Sequence, residues 1–312
     1  MSILRKIFII VIMALLPIVS ISAQNNEDKY AFFISPYLGL IYGQAEEIVY
    51  KLPGDPDYLS LLLWDLKPLL YIGFSVDFGP RNPFQYSGFV STGSLKIGMP
   101  SITGVNENFD WFENGNEYSH YSRHTAYTRM AFFADISFGY SWRLWDSIAL
   151  SAFGEFRYMH FSWEARDGFG LYPDPISDMI FIGKVVEYMQ NWFILSPGIS
   201  LLYKFNDIFS MGGNFSYSPL IFCIARDHHI HRNTVFYDYP RWGHGIKWGL
   251  NFNISPNYNT DFFLSLTHTL INGSRGDTII NNVTYMDSGG AAISAIDFGM
   301  GARFFLGQRN RN

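Results

Sequence analysis

Along most of this chain, large apolar side chains alternate with small or polar ones, and this period of two constrains the fold more than any other feature. In residues 30–42 the even positions from Phe32 to Tyr42 are nearly all large and apolar, whereas the odd positions include Ser35 and Gly39. Successive side chains of a β-strand point to opposite faces, so the pattern predicts strands with one apolar and one polar face. The same alternation returns in residues 70–78, 132–142, 209–217, 242–254 and 296–306.

The composition indicates which medium each face meets. The chain of 312 residues is 48% hydrophobic and 18% aromatic, but only 16% of its residues are charged, against about a quarter in an average soluble domain. A soluble sandwich would turn its apolar face inward and its charges outward. Long strands with Gly, Ser, Asp, Lys and Arg opposite an unbroken apolar face are typical of a wall with lipid outside and a polar lumen inside. We therefore predict an all-β fold, a ten-stranded antiparallel transmembrane β-barrel with long extracellular loops.

The order of strands and connections supports a closed barrel, because closure removes the sheet edges that lipid cannot solvate. The predicted strands span residues 30–44, 59–78, 84–98, 128–143, 147–164, 190–204, 208–224, 239–254, 261–272 and 290–306. Short and long connections alternate between them, which is typical of short periplasmic turns and long extracellular loops. The long connections are predicted at residues 45–58, 99–127, 165–189, 225–238 and 273–289.

Residues 1–23 are predicted to be a signal peptide. Arg5 and Lys6 precede an apolar stretch that begins at Ile7 and ends in small residues before Gln24, as in an export signal. A membrane-anchor helix is the alternative, but the stretch is short and contains Pro17. Residues 24–312 are predicted to form a single outer-membrane barrel.

Charge and cysteine content exclude several function classes. A formal net charge of −5 provides no basic surface for nucleic acid, and a single cysteine allows neither a disulfide within the chain nor a multi-cysteine metal site. A ten-stranded barrel is only slightly wider than the side-chain-filled eight-stranded kind, so a general porin is disfavoured. We expect its inward-facing charges to form a packed network of Asp77, Asp135, Arg143, Glu155, Arg157, Lys247, Asp297 and Arg303.

Five of the eight histidines lie in two predicted extracellular loops, beside carboxylates. The loop after the seventh strand contains Asp227 and His229, and a histidine paired with a carboxylate can act as a general base on water. A hydrolase that uses activated water is one interpretation. The alternatives are that these groups are simply solvated, or that His229 and His231 bind a transition metal beside Asp227, although no complete ligand set is visible. The prediction is that no metal is bound.

Several motifs occur in order on the expected loops and strands. They are Gly43-Gln44-Ala45-Glu46-Glu47-Ile48-Val49-Tyr50, Asn108-Phe109-Asp110-Trp111, Ser122-Arg123-His124, Glu155-Phe156-Arg157-Tyr158 followed by Ala165-Arg166-Asp167-Gly168, and Tyr217-Ser218 followed by Asp227-His228-His229. In these motifs the chain resembles the omptins, ten-stranded outer-membrane endopeptidases of Gram-negative bacteria.

The resemblance implies a catalytic site of Asp227, His229, Asp110 and Asn108. Asp227 and His229 would activate water on one rim of the barrel, and the facing pair would position it and stabilise the tetrahedral intermediate. Asn108 stands where the family has an aspartate, and an amide cannot accept a proton as a carboxylate does. This replacement is expected to lower the rate by a factor on the order of ten to a thousand.

The resemblance also implies cleavage near basic residues and an effect of lipid. Glu47 matches one carboxylate of a substrate-binding acidic pocket, but Ala225 stands where the second is expected, which predicts a relaxed preference for Arg or Lys. Glu155 and Arg157 match part of a lipid-binding site on the outer face of the barrel, although their alternation predicts that they point inward. No cofactor is expected apart from a dependence on lipopolysaccharide.

The resemblance places the protein in the outer membrane with its active site facing the exterior. The expected partners are outer-membrane lipid and surface peptides or proteins, the expected state is a monomer, and no nucleic acid is expected to bind. Two other functions stay open at this point. One is a non-catalytic barrel whose loops bind surfaces as an adhesin, and the other is a small-solute channel, which needs an open lumen.

Overall fold

The computed structural model describes residues 29–51, 57–112, 117–173, 178–257 and 259–306, which fold into one antiparallel sheet of eleven strands. The predicted signal peptide lies outside these residues. Within the described part of the chain, no helix has the length and hydropathy needed to cross a membrane. The strands are Tyr30–Tyr50 (β1), Tyr58–Pro80 (β2), Gly88–Gly98 (β3), Ser101–Asp110 (β4), His120–Trp145 (β5), Ile148–Leu171 (β6), Met179–Lys204 (β7), Phe209–His229 (β8), Thr234–Asn257 (β9), Thr260–Ile280 (β10) and Val283–Leu306 (β11).

The sheet closes into a ring, as the alternation predicts. Apart from β3 and β4, which do not pair with each other, consecutive strands pair along the chain, and β1 closes the ring by pairing with both β2 and β11. β3 and β4 occupy a single position in the wall, because both pair with β2 on one side and β5 on the other. They are interrupted at Met99 and Pro100, where proline removes a backbone donor from the ladder. Ten positions around the ring confirm the predicted fold class.

The two faces of the wall carry the predicted polarity. Large apolar side chains point outward and are exposed in the isolated chain, among them Ile72, Phe74, Ile97, Phe138, Phe156, Ile199, Phe252, Leu264, Phe298 and Met300. In water such a surface would be far larger than the apolar patches of soluble proteins, whereas in a bilayer it is the lipid-facing band.

The strands extend well beyond the predicted membrane-spanning segments, and much of each predicted long connection continues the strands above the membrane. Most strands contain 21–26 residues, which corresponds to about 70–85 Å of extended chain. Tilted by about 40°, such strands rise roughly twice the height of the apolar band. The upper parts form a rim that stands in water on both faces, so apolar residues no longer alternate with polar ones there. Outward-facing Glu187 and His228, which contact each other at 3.6 Å, illustrate this loss of pattern.

In the lower lumen, charged side chains pair across the barrel, as the sequence predicts. Arg157 on β6 donates from Nε to Asp135 Oδ1 at 2.5 Å and from Nη2 to Glu155 at 2.9 Å, and Lys247 on the distant strand β9 also binds Glu155. Lys96 binds Asp297, and Arg303 binds Asp77. Arg143 is the exception, because it pairs with Asp146 at a turn.

The inward position of Glu155 and Arg157 corrects the expectation that they hold lipid on the outer face. Both side chains are largely buried and are engaged by charges inside the lumen. The alternation of side chains along the strand explains this orientation, because Phe156, which lies between Glu155 and Arg157, is the residue that points to lipid.

A layer of aromatic rings fills the lumen between this network and the rim. Trp64 stacks on Tyr188 at 5.4 Å and on Trp163 at 5.8 Å, and Trp163 stacks on Phe161 at 5.0 Å between ring centroids. Buried apolar side chains from eight of the strands join the same cluster. A lumen packed in this way argues against the small-solute channel.

The central arginine of the lower network gives a test of the fold. Arg157→Ala should lower the free energy of unfolding by about 3–5 kcal/mol, because it leaves two buried carboxylates without their guanidinium. Arg303→Ala is the matched control, since its half-exposed pair with Asp77 is longer, at 3.5 Å, and should cost about 1 kcal/mol or less. Urea unfolding in detergent micelles, followed by tryptophan fluorescence, measures both. Equal losses would contradict this account of the lumen.

Candidate active site

A cleft opens at the rim, above the aromatic layer, and residues from several strands line it. Strand alternation turns these side chains inward from opposite sides of the ring. The polar part of the lining consists of Asn106, Asn108, Asp110, Ser122, His124, Tyr172, His229, His231 and Arg232. Asn108, Asp110 and His229, which were predicted from separate loops, therefore meet at one site.

Asp227 and His229 form a close pair at the end of β8. His229 Nε2 lies 2.6 Å from Asp227 Oδ2, and the Asp227 carboxyl is almost completely buried, with 2% of its side chain exposed. The two residues are two positions apart on one strand, so both point inward, whereas His228 between them points outward to Glu187. A buried carboxylate that accepts from one ring nitrogen fixes the tautomer and leaves the other nitrogen free to accept a proton.

The facing wall holds Asn108 and Asp110 on β4. Ser60 Oγ donates to Asn108 Oδ1 at 3.2 Å, and Asn108 Nδ2 donates weakly to Asp110 Oδ2 at 3.4 Å. Burial raises the pKa of Asp110, while a hydrogen bond from Ser60 and the charges of Arg232, His120 and His229 oppose the rise. Asp110 and His229 are therefore close enough to interact electrostatically across the cleft.

His124 and Ser122 also line the cleft, although the sequence suggested no separate role for them. His124 Nε2 and Ser122 Oγ are 3.1 Å apart, and His124 Nδ1 lies 2.7 Å from the backbone oxygen of Asp167. Burial lowers the pKa of His124, so the ring is neutral near pH 7. His124 can therefore contribute a neutral hydrogen-bonding group to the cleft without adding charge.

Beneath the Asp227–His229 pair lies a cluster of buried carboxyl groups, of which the sequence predicted Glu47 as a site residue but not Asp238. Glu47 and Asp238 are both 3% exposed. The pKa of Glu47 is raised well above its ordinary value, first by burial and then by the charges of Asp227 and Asp238 and a hydrogen bond with Asp227. Burial raises the pKa of Asp238 to about 7. A hydrogen bond from Thr278 opposes this rise, and the charge of Asp227 adds to it. Asp238 was missed because it lies at the end of a predicted loop, and only the pairing of β8 with β9 brings it to the site.

The arrangement is suited to the activation of water. Among the described residues, no three His, Cys, Asp or Glu side chains gather in a way that could hold a metal ion. A buried carboxylate, a histidine and a facing acidic group around an open cleft can remove a proton from water and orient it. Ser122 and His124 are within hydrogen-bond distance in the lining, but the other ring nitrogen of His124 contacts the backbone oxygen of Asp167 rather than a carboxylate.

Known proteins resemble this chain in sequence family and fold. The model of the Omptin family matches residues 28–300. Among solved structures, the outer membrane protease OmpT from Escherichia coli superposes with a TM-score of 0.80 at 15% identity, over 88% of this chain and 97% of that one. The transport unit of the autotransporter AIDA-I from Escherichia coli gives 0.40 at 10% identity, over 90% and 92% of the two chains. The outer membrane protein OprG from Pseudomonas aeruginosa gives 0.32 at 10% identity, over 91% and 99%. No curated protein matches the chain by sequence.

The raised pKa of Asp238 makes stability depend on pH in a defined direction. The folded protein holds this proton more tightly than the unfolded chain, so the contribution of Asp238 is full at low pH and is lost as pH rises through about 7. The substitution Asp238→Asn removes this loss of stability at higher pH, because an amide does not titrate. The variant should gain about 2 kcal/mol of stability over the wild type between pH 5 and pH 8.

Urea unfolding at the two pH values measures this gain. Asp277→Asn is the matched control, because it removes a carboxylate from the adjacent strand that pairs with half-exposed Arg241 rather than with the buried cluster. A gain for Asp238→Asn that does not grow with pH, or that the control reproduces, would contradict the assignment.

Proposed function

Because this chain belongs to the omptin family of outer-membrane proteases, we propose that it is an endopeptidase that hydrolyses peptide bonds near basic residues at the cell surface. The observation that carries the proposal is the contact of 2.6 Å between Asp227 and His229 on one side of a cleft that Asp110 lines on the other. The site lies on the rim above the lipid-facing band, where a peptide chain can reach it from outside.

In the proposed first step, His229 takes a proton from water. Its Nε2 donates to Asp227, so Nδ1 is the free acceptor, and the imidazolium that forms is stabilised by the buried Asp227 carboxylate. The water oxygen attacks the carbonyl carbon and forms a tetrahedral intermediate. When the intermediate collapses, the C–N bond breaks and His229 returns its proton to the leaving amine. Neither residue changes its net protonation over the cycle.

In this mechanism Asp110 accepts a hydrogen bond from the attacking water on the side opposite His229. Asn108 donates to the Asp110 carboxylate and is itself oriented by Ser60. An amide here avoids the repulsion between two neighbouring carboxylates, which would otherwise force them to share a proton. The same amide lacks the second negative charge and the second proton acceptor. We infer a working but slow hydrolase, in which Asp110 alone provides the carboxylate of the facing wall.

The catalytic pair gives a test with an internal control. His229→Ala should lower kcat/KM for a fluorogenic dibasic peptide by at least about a hundredfold, because it removes the general base. His228→Ala is the matched control, since this neighbouring histidine points to the outer wall and should retain near wild-type activity. Both barrels are compared in equal amounts of folded protein, judged by their altered mobility on unheated gels. Equal activity in the two variants would overturn the assignment of the base.

Restoring a carboxylate at position 108 tests the role of the facing wall. Asn108→Asp should raise kcat/KM by a factor on the order of ten to a thousand, because it adds a second acceptor for the water protons. Asn108→Ala removes the amide without adding charge and should lower kcat/KM. A rate unchanged by Asn108→Asp would show that Asp110 is sufficient. A folded wild type that cleaves nothing until this substitution is made would instead support the non-catalytic, surface-binding function.

A further inference from the structure

Glu47 lies beneath the cleft without lining it. Its side chain is 3% exposed, and it does not belong to the described lining of the cleft. Its acidic neighbours are Asp227 on β8 and Asp238 on β9. Among the residues that the structure describes, no Lys or Arg forms an ion pair with any of these three carboxyl groups. By contrast, Arg and Lys side chains pair with the carboxylates of the lower network.

Glu47 and Asp227 each have one oxygen atom without a hydrogen-bond donor. These atoms are Glu47 Oε2 and Asp227 Oδ1, and both are buried. The other oxygen of Asp227, Oδ2, is satisfied by His229 Nε2 at 2.6 Å. Native proteins rarely leave buried polar atoms unpaired. Because a protonated carboxyl group donates through its O–H, a single proton between the two side chains satisfies both orphaned oxygens.

The surroundings of the two carboxyl groups place that proton on Glu47. Burial and the charges of Asp227 and Asp238 raise the pKa of Glu47 well above its ordinary value, and a hydrogen bond with Asp227 raises it further. Asp227 contacts His229, and a bond from a histidine favours the ionised form of a carboxyl group. Two carboxyl groups that share one site do not both ionise readily, so the pair carries a single negative charge.

We propose that Glu47 is a neutral acid that donates a hydrogen bond to Asp227 Oδ1 and thereby acts as a positioning residue for the Asp227–His229 pair. This inference rests on the proposed function and adds a residue to its site. It gives Glu47 a role different from the substrate binding that the family resemblance implies. The deep burial of Glu47 fits a role that is exerted through Asp227 rather than by contact with substrate.

The hydrogen bond from Glu47 controls how strongly Asp227 attracts a proton to His229. Because the bond draws negative charge away from Asp227, the imidazole is less readily protonated and stays available as a base. An ionised Glu47 has the opposite effect, since a second carboxylate nearby favours the imidazolium. The bond also fixes the Asp227 carboxylate in the orientation that turns Oδ2 to His229.

In the part of the chain that the structure describes, the groups that face Glu47 are its two acidic neighbours and several uncharged side chains. The uncharged ones lie on β2, β7 and β11 and are Leu62, Trp64, Tyr188 and Ala291. Burial raises the pKa of Tyr188 well above its ordinary value, so it stays neutral. Asp238, with a pKa of about 7, ionises around neutral pH. Its charge then adds to that of Asp227 and opposes the ionisation of Glu47.

Infrared spectroscopy tests the protonation of Glu47 without relying on catalysis. A protonated carboxyl group has a C=O stretching band that an ionised carboxylate lacks. At pH 8, where Asp238 is largely ionised, Glu47→Gln should remove one such band. Glu187→Gln is the matched control and should remove none, because a hydrogen bond from Lys184 lowers the pKa of Glu187 on the outer wall. A spectrum in which Glu47→Gln removes no band overturns the proposal.

Titration of the His229 ring by NMR tests whether Glu47 acts through Asp227. The signal of this ring is identified by its loss in His229→Ala. Glu47→Met provides an unbranched side chain without a donor, and it should raise the midpoint of the titration by about half a pH unit or more. Glu47→Gln retains an N–H donor and should leave the midpoint close to that of the wild type.

Gel mobility shows that each of these barrels is folded. An equal midpoint in the wild type and in folded Glu47→Met contradicts an action through Asp227. If Glu47→Met does not fold, the infrared comparison with the isosteric Glu47→Gln decides the outcome.

Steady-state kinetics separates positioning from substrate binding. With a dibasic peptide, Glu47→Gln should retain kcat/KM within about threefold, whereas Glu47→Met should lower kcat at least about tenfold with little change in KM. The second peptide carries citrulline, a neutral isostere, in place of Arg. If Glu47→Gln raises KM for the Arg peptide and not for the citrulline peptide, Glu47 binds substrate and the proposal fails. A wild-type barrel that cleaves neither peptide refutes the proposed function, while the infrared and NMR results still decide the role of Glu47.

Discussion

Every other feature of this protein depends on the inability of lipid to hydrogen-bond the peptide backbone. A sheet in the membrane must pair all its strands, so the wall closes, and β1 meets both β2 and β11. Once the wall is closed, period-two geometry fixes which side chains enter the lumen. Asp227 and His229 face each other inward for this reason, and His228 faces out. The geometry of the Asp227–His229 pair is thus a consequence of strand pairing above the membrane, on a scaffold made rigid by pairing within it.

An aromatic layer divides the lumen into two polar zones. The two zones differ in whether their buried carboxylates are paired with Lys or Arg side chains. Below the layer, Glu155 is neutralised by Arg157 and Lys247, so this zone is internally satisfied. Above it, Glu47 and Asp238 form no ion pair with a Lys or Arg within the described part of the chain. Both zones bury carboxylates in a similar environment, so the difference cannot be a general property of the barrel.

The sequence was informative where lipid imposes a pattern and misleading where water meets both faces of the wall. The membrane-spanning strands and the ring were predicted correctly, because apolar and polar residues alternate there. The rim was predicted as loops, because outward positions such as Glu187 carry charge. Asn108, Asp110 and His229 were recognised from family motifs, and the structure brings them to one cleft. Glu155 and Arg157 were assigned to the outer face from a motif, whereas alternation alone had placed them correctly inside.

The sequence by itself determined the fold class, the placement of the polar face in the lumen and the recognition of Asp227 and His229 as a candidate pair, since these follow from local periodicity and short motifs. Only the tertiary structure decided which distant residues meet. Ala225 and Asp238 are 13 positions apart, yet the register of β8 with β9 makes them direct neighbours. Residue spacing along one strand is fixed by the chain, whereas register between strands is set by the whole ring, and the composition of the buried carboxyl cluster depends on that register.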